Sequence, residues 1–218
     1  MGSEAQTAAL PEPWRMAFEL AWEAFRAGSR PVGAVLVDSR GRVVASGRNR
    51  SQESAAPPGQ LAGAAIAHAE LNVLAQLPAH HRYGDHRLYT TLEPCLLCSS
   101  ALIHAHVGTV VYAASDSLWR GVENVPHVGG AIAERWARRE GPLEGPLSVF
   151  AAMLMDLWSL VHASPTDGRE LPGGDFVSLA RRCLDVNGFL DATTAQAAYR
   201  LAWPCLTAES PDLDRTPR

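Results

Sequence analysis

The sequence predicts a layered α/β domain, and three observations carry that reading. An amphipathic helical segment comes first, a β-hairpin follows it, and helical and strand-like segments then alternate up to residue 113. Residues 13–27 place Trp14, Phe18, Ala21, Trp22 and Phe25 at helical spacing, and Gly28, Ser29 and Pro31 stop the run. A period of this kind is what packing produces, so the segment reads as scaffold. Residues 31–37 (PVGAVLV) and 42–47 (RVVASG) are β-rich and flank the polar turn Asp38-Ser39-Arg40-Gly41, which reads as a hairpin. Helical crossovers further along imply parallel strands where they join neighbours.

A long stretch rich in Ser, Ala, Pro and Gly occupies residues 49–65, and its length suits either a lid or a disordered segment. Residues 65–77 read as a helix closed by Pro78. Residues 87–92 (RLYTTL) follow as a strand, Pro94 opens a helix running to about His106, and residues 107–113 return to strand character. Beyond Asp116 the expectation is a helix over 131–140 and another over 147–161, the latter preceded by a short edge strand at 147–150. Residues 164–175 have linker composition, and 176–184 and 193–203 read as two tail helices. The expected organisation is thus a domain over 1–163 and a helical extension over 164–218 packed on it.

With 218 residues, 47% hydrophobic and 19% charged, the chain can bury a sizeable core. No stretch approaches the roughly 20 apolar residues of a membrane helix, and residues 1–13 lack a basic-then-apolar leader, so a cytoplasmic location is expected. The net charge of −4 gives no broad signature of nucleic-acid binding. All 19 basic residues are arginine, which excludes Schiff-base catalysis and a P-loop lysine.

The chemistry-bearing residues are His68-Ala69-Glu70 and Pro94-Cys95-Leu96-Leu97-Cys98. Cysteines three apart at the start of a helix lie on one face, so both sulfurs can reach one ion, and the helix N-terminus favours their thiolates. His68 completes three ligands, the number typical of a catalytic zinc with an open fourth position for water. Zinc brings water from a pKa of about 15.7 to roughly 7, and Glu70 is the carboxylate that accepts and redelivers the proton. Residues two apart do not share a helix face, so His68 and Glu70 are expected where the chain enters its helix. The rival readings are a redox C-x-x-C pair and a structural zinc with a fourth protein ligand; the latter leaves Glu70 without a purpose.

H-x-E followed by P-C-x-x-C is the signature of zinc-dependent base deaminases. On these motifs, with PVGAVLV, the GRNR run at 47–50, TTLEPCLLCSSALIHAHV and VVYAASD, the chain resembles the cytidine deaminase superfamily. The resemblance is to the branch of tRNA adenosine, guanine and fungal-type cytosine deaminases, over residues 13–115. It implies a three-layer α/β/α fold around a mixed five-stranded sheet, one Zn2+ per chain and a homodimer. It further implies that Asn49 and the main chain near Ala69 and Cys95 contact the base, and that Asp116 lies near the substrate backbone.

Three departures fall where this family sets substrate choice: a longer loop before His68, the segment SLWRGVENVPHVGG after Asp116, and the tail after Ala163. They favour a free nucleobase, nucleoside or related aminated heterocycle, with a lean towards purines; the alternative is a tRNA-specific adenosine deaminase converting wobble adenosine to inosine. Trp119 is either packing or a platform on which a base stacks. Arg135, Arg138 and Arg139 with Glu134 and Glu140 read as a solvated helix face, or else as a grip on phosphate. His80, His81, His86, His104 and His106 read as surface or supporting residues, Cys183 and Cys205 as small buried apolar side chains, and Gly129-Gly130 and Gly173-Gly174 as turns.

Overall fold

The computed structural model describes residues 9–162 and 174–208. Helix α1 (Trp14–Arg26) buries Trp14, Ala17, Phe18, Ala21, Trp22 and Phe25, the face its apolar spacing marks out. Strands β1 (Gly33–Val37) and β2 (Val43–Arg48) pair antiparallel. After the long loop come α2 (Ala69–Leu74), β3 (Arg87–Leu92), α3 (Leu96–Ala105) and β4 (Thr109–Ala114). Two 3-10 turns (Ser117–Trp119 and Val122–Val128), the short α4 (Gly130–Glu134) and β5 (Arg138–Glu140) complete the sheet. Its order is β2-β1-β3-β4-β5, with β1 antiparallel to β3 and the β3–β4 and β4–β5 pairs parallel. This is the mixed five-stranded sheet the resemblance implies.

Every residue of β1 is buried, so helices cover both faces of the sheet. Ala34 and Leu36 point into one core with Ala69 and Val73 of α2 and Leu102 of α3. Val35 and Val37 point into the other with Trp14, Phe18 and Trp22 of α1 and with α5 (Pro146–His162). Two glycines permit the close approach. A Cβ on Gly33 would stand 2.1 Å from the Ala17 carbonyl oxygen of α1, and one on Gly47 would stand 2.9 Å from that of Ala69 at the start of α2.

The described tail helices, α6 (Val177–Leu184) and α7 (Ala195–Thr207), share the core of α1 and α5. Polar contacts fix them. The Glu19 carboxylate accepts from the Ala195 and Gln196 amides at 2.7 and 3.1 Å, a side-chain cap from α1 on the first turn of α7. Trp22 Nε1 donates to the Ala192 carbonyl at 2.8 Å, and Asp156 of α5 accepts from Phe176 N at 3.0 Å where α6 begins. These helices therefore support the sheet from the face opposite α2 and α3.

Three sequence expectations are corrected. The helix expected over 131–140 ends at Glu134, and Arg138–Glu140 enters the sheet as an edge strand. Alternation explains it: the Arg138 side chain is 76% exposed and that of Arg139 only 11%. The strand expected at 147–150 is the first turn of α5. The helix expected over 65–77 is confined to Ala69–Leu74, because turns at Ala67 and His68 precede it (Ala67 N to Ala64 O 2.9 Å, His68 N to Ile66 O 2.7 Å). The linker expected at 164–175 lies, apart from Gly174 and Asp175, outside the described residues. Among the described residues, no helix is long and apolar enough to cross a membrane.

Candidate active site

Two helix N-termini meet over one face of the sheet. His68 is the residue before α2, with extended backbone (φ −76°, ψ 156°), while Glu70 sits in the first turn of that helix. This break in helical geometry lets two side chains only two apart in sequence converge, as the sequence required. Cys95 holds the equivalent place before α3 (φ −63°, ψ 174°) and Cys98 lies in its first turn, so their sulfurs face the same side.

His68 Nδ1 stands 3.6 Å from Cys95 Sγ and 3.4 Å from Cys98 Sγ. All three donor atoms lie within 4.8 Å of one another. Zinc–sulfur bonds of about 2.3 Å and zinc–nitrogen bonds of about 2.0 Å at a tetrahedral angle put N and S roughly 3.5 Å apart. The His–Cys–Cys group therefore fits one zinc ion and supplies the mix of imidazole and thiolate that zinc takes. Among the described residues it is the one such group of three or more His, Cys, Asp or Glu side chains.

Electrostatics favour a cation here. The Cys98 side chain, with His68 behind it, hydrogen-bonds to Cys95 and holds its thiol down at about 4. The same contact and burial push Cys98 well above the usual thiol range, and the bond to Cys95 raises His68. Glu70 is 3% exposed, and burial pushes its carboxyl upwards. Its two oxygens are differently employed: Oε1 accepts from the hydroxyl of Thr90 on β3 at 3.1 Å, and Oε2 faces Cys98 Sγ at 3.4 Å. One oxygen is tethered to the sheet and the other is turned to the donor cluster.

The remaining sequence candidates differ in burial and in their partners. Asn49 is buried at the end of β2, its Oδ1 accepting from the amide and hydroxyl of Ser51 at 3.0 and 2.8 Å. Ala69 is fully buried as the first residue of α2. Asp116 follows β4; it caps the first 3-10 turn through Leu118 N at 3.0 Å, and burial raises its carboxyl. Trp119 is 38% exposed and lines, with Leu96, Leu118, Arg120 and Val122, a shallow cavity of about 210 Å³. Leu96 follows Cys95 directly, so this surface adjoins the metal loop. The five histidines at 80, 81, 86, 104 and 106 take no part in the donor group.

The loop before His68, expected to be a lid or disordered, is tethered. Asn72 of α2 is fully buried and clamps Leu61, accepting from its amide at 2.7 Å and donating to its carbonyl at 3.2 Å, while also donating to Arg48 O at 2.9 Å. Glu53 sits between Arg48 and Arg50, at 2.9 Å from Arg48 Nη2 and 2.6 Å from Arg50 Nη1. Asn72→Ala leaves the Leu61 amide and carbonyl and the Arg48 carbonyl without this partner and is expected to cost about 1–3 kcal/mol, read by urea unfolding. Unchanged stability, with no new cleavage between residues 51 and 63 under limited proteolysis, would contradict the clamp.

Fold and donor set together match those of zinc-binding deaminases. A family model described as the cytidine and deoxycytidylate deaminase zinc-binding region matches residues 11–114. The tRNA-specific adenosine deaminase of Rickettsia bellii is 32% identical over 114 residues, which cover 50% of this chain and 73% of that one. The tRNA-specific adenosine deaminase of Haemophilus influenzae is 38% identical over 105 residues, covering 47% of this chain. The match takes in little more than half (56%) of that relative's length. A solved structure of a mutant protein in complex with 8-azaguanine superposes with a TM-score of 0.50 at 24% identity, over 72% of this chain and 92% of that one, a likeness of fold. The chain belongs to the family marked by the cytidine and deoxycytidylate deaminase zinc-binding region.

Proposed function

We propose that this chain is a hydrolytic deaminase that removes the exocyclic amino group of a free nucleobase, nucleoside or related aminated heterocycle and releases ammonia. The observation that carries the reading is the buried Glu70 carboxylate turned towards the His68–Cys95–Cys98 group. A zinc ion held by those three residues would supply the Lewis-acid chemistry that makes water a nucleophile near neutral pH. Glu70 accepts the proton of that water at Oε2, gives it to the ring nitrogen beside the amino-bearing carbon, and moves the second proton to the departing amine. Water and an amino-substituted ring thus become a carbonyl and ammonia. Asn49, Ala69, Asp116 and Trp119 form the surroundings in which the ring is oriented.

A small substrate is favoured by the segment after Asp116, whose Leu118, Trp119 and Arg120 line a shallow cavity of mixed polarity beside Leu96. The net charge of −4 points the same way, since phosphate backbones are gripped by basic surface. The second reading, a tRNA-specific adenosine deaminase, is favoured by the names of the Rickettsia and Haemophilus relatives. A homodimer acting in the cytoplasm is the setting proposed for either.

The test is ammonia release by the zinc-loaded chain from adenine, guanine, cytosine, their nucleosides and aminated triazines, beside inosine formation in tRNA transcripts at low and high salt. Release from one small compound supports the first reading. Salt-sensitive tRNA binding with inosine formation and no small-molecule turnover replaces it with the second.

A further inference from the structure

We infer that Arg139, on the edge strand β5, is a positioning residue for the metal site: its guanidinium brackets the cysteine loop from both sides and fixes the spacing of Cys95 and Cys98. The charge run 134–140 hides it. Arg138 and Arg139 are neighbours of identical chemistry, yet the first projects into solvent and the second turns inwards from its place opposite Val110 of β4.

Three hydrogen bonds define the bracket. Arg139 Nη2 donates to Glu93 Oε1 at 2.8 Å and to the Pro94 carbonyl at 3.5 Å, on the chain just before Cys95. Arg139 Nη1 donates to Ser99 Oγ at 3.2 Å, just after Cys98. Ser99 in turn donates its hydroxyl to the Pro94 carbonyl at 3.3 Å, closing the loop on itself. Tyr112 and Trp136 flank the guanidinium, their ring centroids 5.4 and 6.0 Å from Cζ. Glu93 passes the constraint on, for its second oxygen accepts from Asp116 N at 3.3 Å. One planar fork thus holds the metal loop and ties it to the start of the substrate wall.

Burying an ion pair is a weak way to gain stability, because desolvation offsets most of the attraction. What this pair supplies is geometry: a guanidinium presents donors in a fixed fork, whereas a lysine ammonium is a point charge on a flexible stem. Groups hydrogen-bonded to the ligands themselves are worth about 10- to 100-fold in metal affinity when removed, and Arg139, which holds the residues on either side of the cysteines, is set against the lower end of that range.

The inference concerns the metal site, and its test needs no substrate. Zinc affinity is measured by chelator competition on the full chain, and the cobalt(II)-loaded protein gives a ligand-field spectrum. Arg139→Lys, which keeps the charge beside Glu93, is expected to weaken zinc about 10-fold and to alter the cobalt spectrum. The melting temperature of the metal-free protein should move little. Ser99→Ala, which removes only a hydroxyl, should act in the same direction by a smaller factor, and Arg138→Lys should leave all three readings unchanged. Affinity within twofold of the parent and an unchanged spectrum in both Arg139→Lys and Ser99→Ala would overturn the inference. So would a loss of affinity that merely follows a fall in metal-free stability. A parent chain that binds neither zinc nor cobalt would overturn the metal site itself, a result distinct from either.

Discussion

Glu70→Gln is expected to lower ammonia release by at least about 10²- to 10⁴-fold, the range general acid–base catalysis contributes, while one zinc per chain stays bound. Glutamine preserves the shape of the side chain and can still accept from Thr90 Oγ1, so β3 continues to hold it in place. What the amide loses is the proton-carrying oxygen turned to Cys98, on which both proton transfers depend. The loss should fall on kcat rather than KM. Turnover and zinc content measured together decide the matter: a variant that retains zinc and keeps more than a tenth of parental kcat would remove Glu70 from the mechanism.

Removing the metal has the second large effect. Dialysis against a strong chelator, or Cys98→Ala, should abolish turnover, and restored zinc should recover the chelated parent but not the variant. The native state should lose stability as well, because zinc at 100 times its dissociation constant stabilises it by about 2.7 kcal/mol. The pH dependence has a defined sign. In the metal-free protein the Cys98 thiol is pushed well above its usual range and His68 is raised, so both tend to hold protons that zinc must displace. Apparent zinc affinity should therefore rise with pH. Affinity that is flat or falling between pH 6 and 8, or full activity after chelation, would contradict this account.

How much of the molecule can be read from its sequence follows from the range of the forces involved. Helix α1 is legible because Trp14, Phe18, Trp22 and Phe25 repeat with the helical period, and the hairpin because a four-residue polar turn separates two β-rich runs. His68 and Glu70 are legible as a pair because their spacing fits the start of a helix and nothing inside one. Strand β5 is not legible: three charged residues carry no hydrophobic period, and their strand character comes from pairing with β4 across α4 and the two 3-10 turns. Arg139 shares that opacity, since only pairing turns it inwards. The loop over 49–65 reads as loose because Pro, Gly and Ser dominate it, yet its order comes from Asn72 and Arg48 outside it. The donor group was legible from motif spacing, while Thr90, Glu93 and Asn72 around it depend on contacts distant in sequence.

Whether the His68–Cys95–Cys98 group holds a catalytic zinc is read most directly from a crystal structure of the zinc-loaded chain with data at the zinc absorption edge. One zinc is expected, bound by His68 Nδ1 and two sulfurs, with its fourth position open to water beside Glu70. A fourth protein side chain on the metal would make the site structural and contradict the deaminase chemistry built on it.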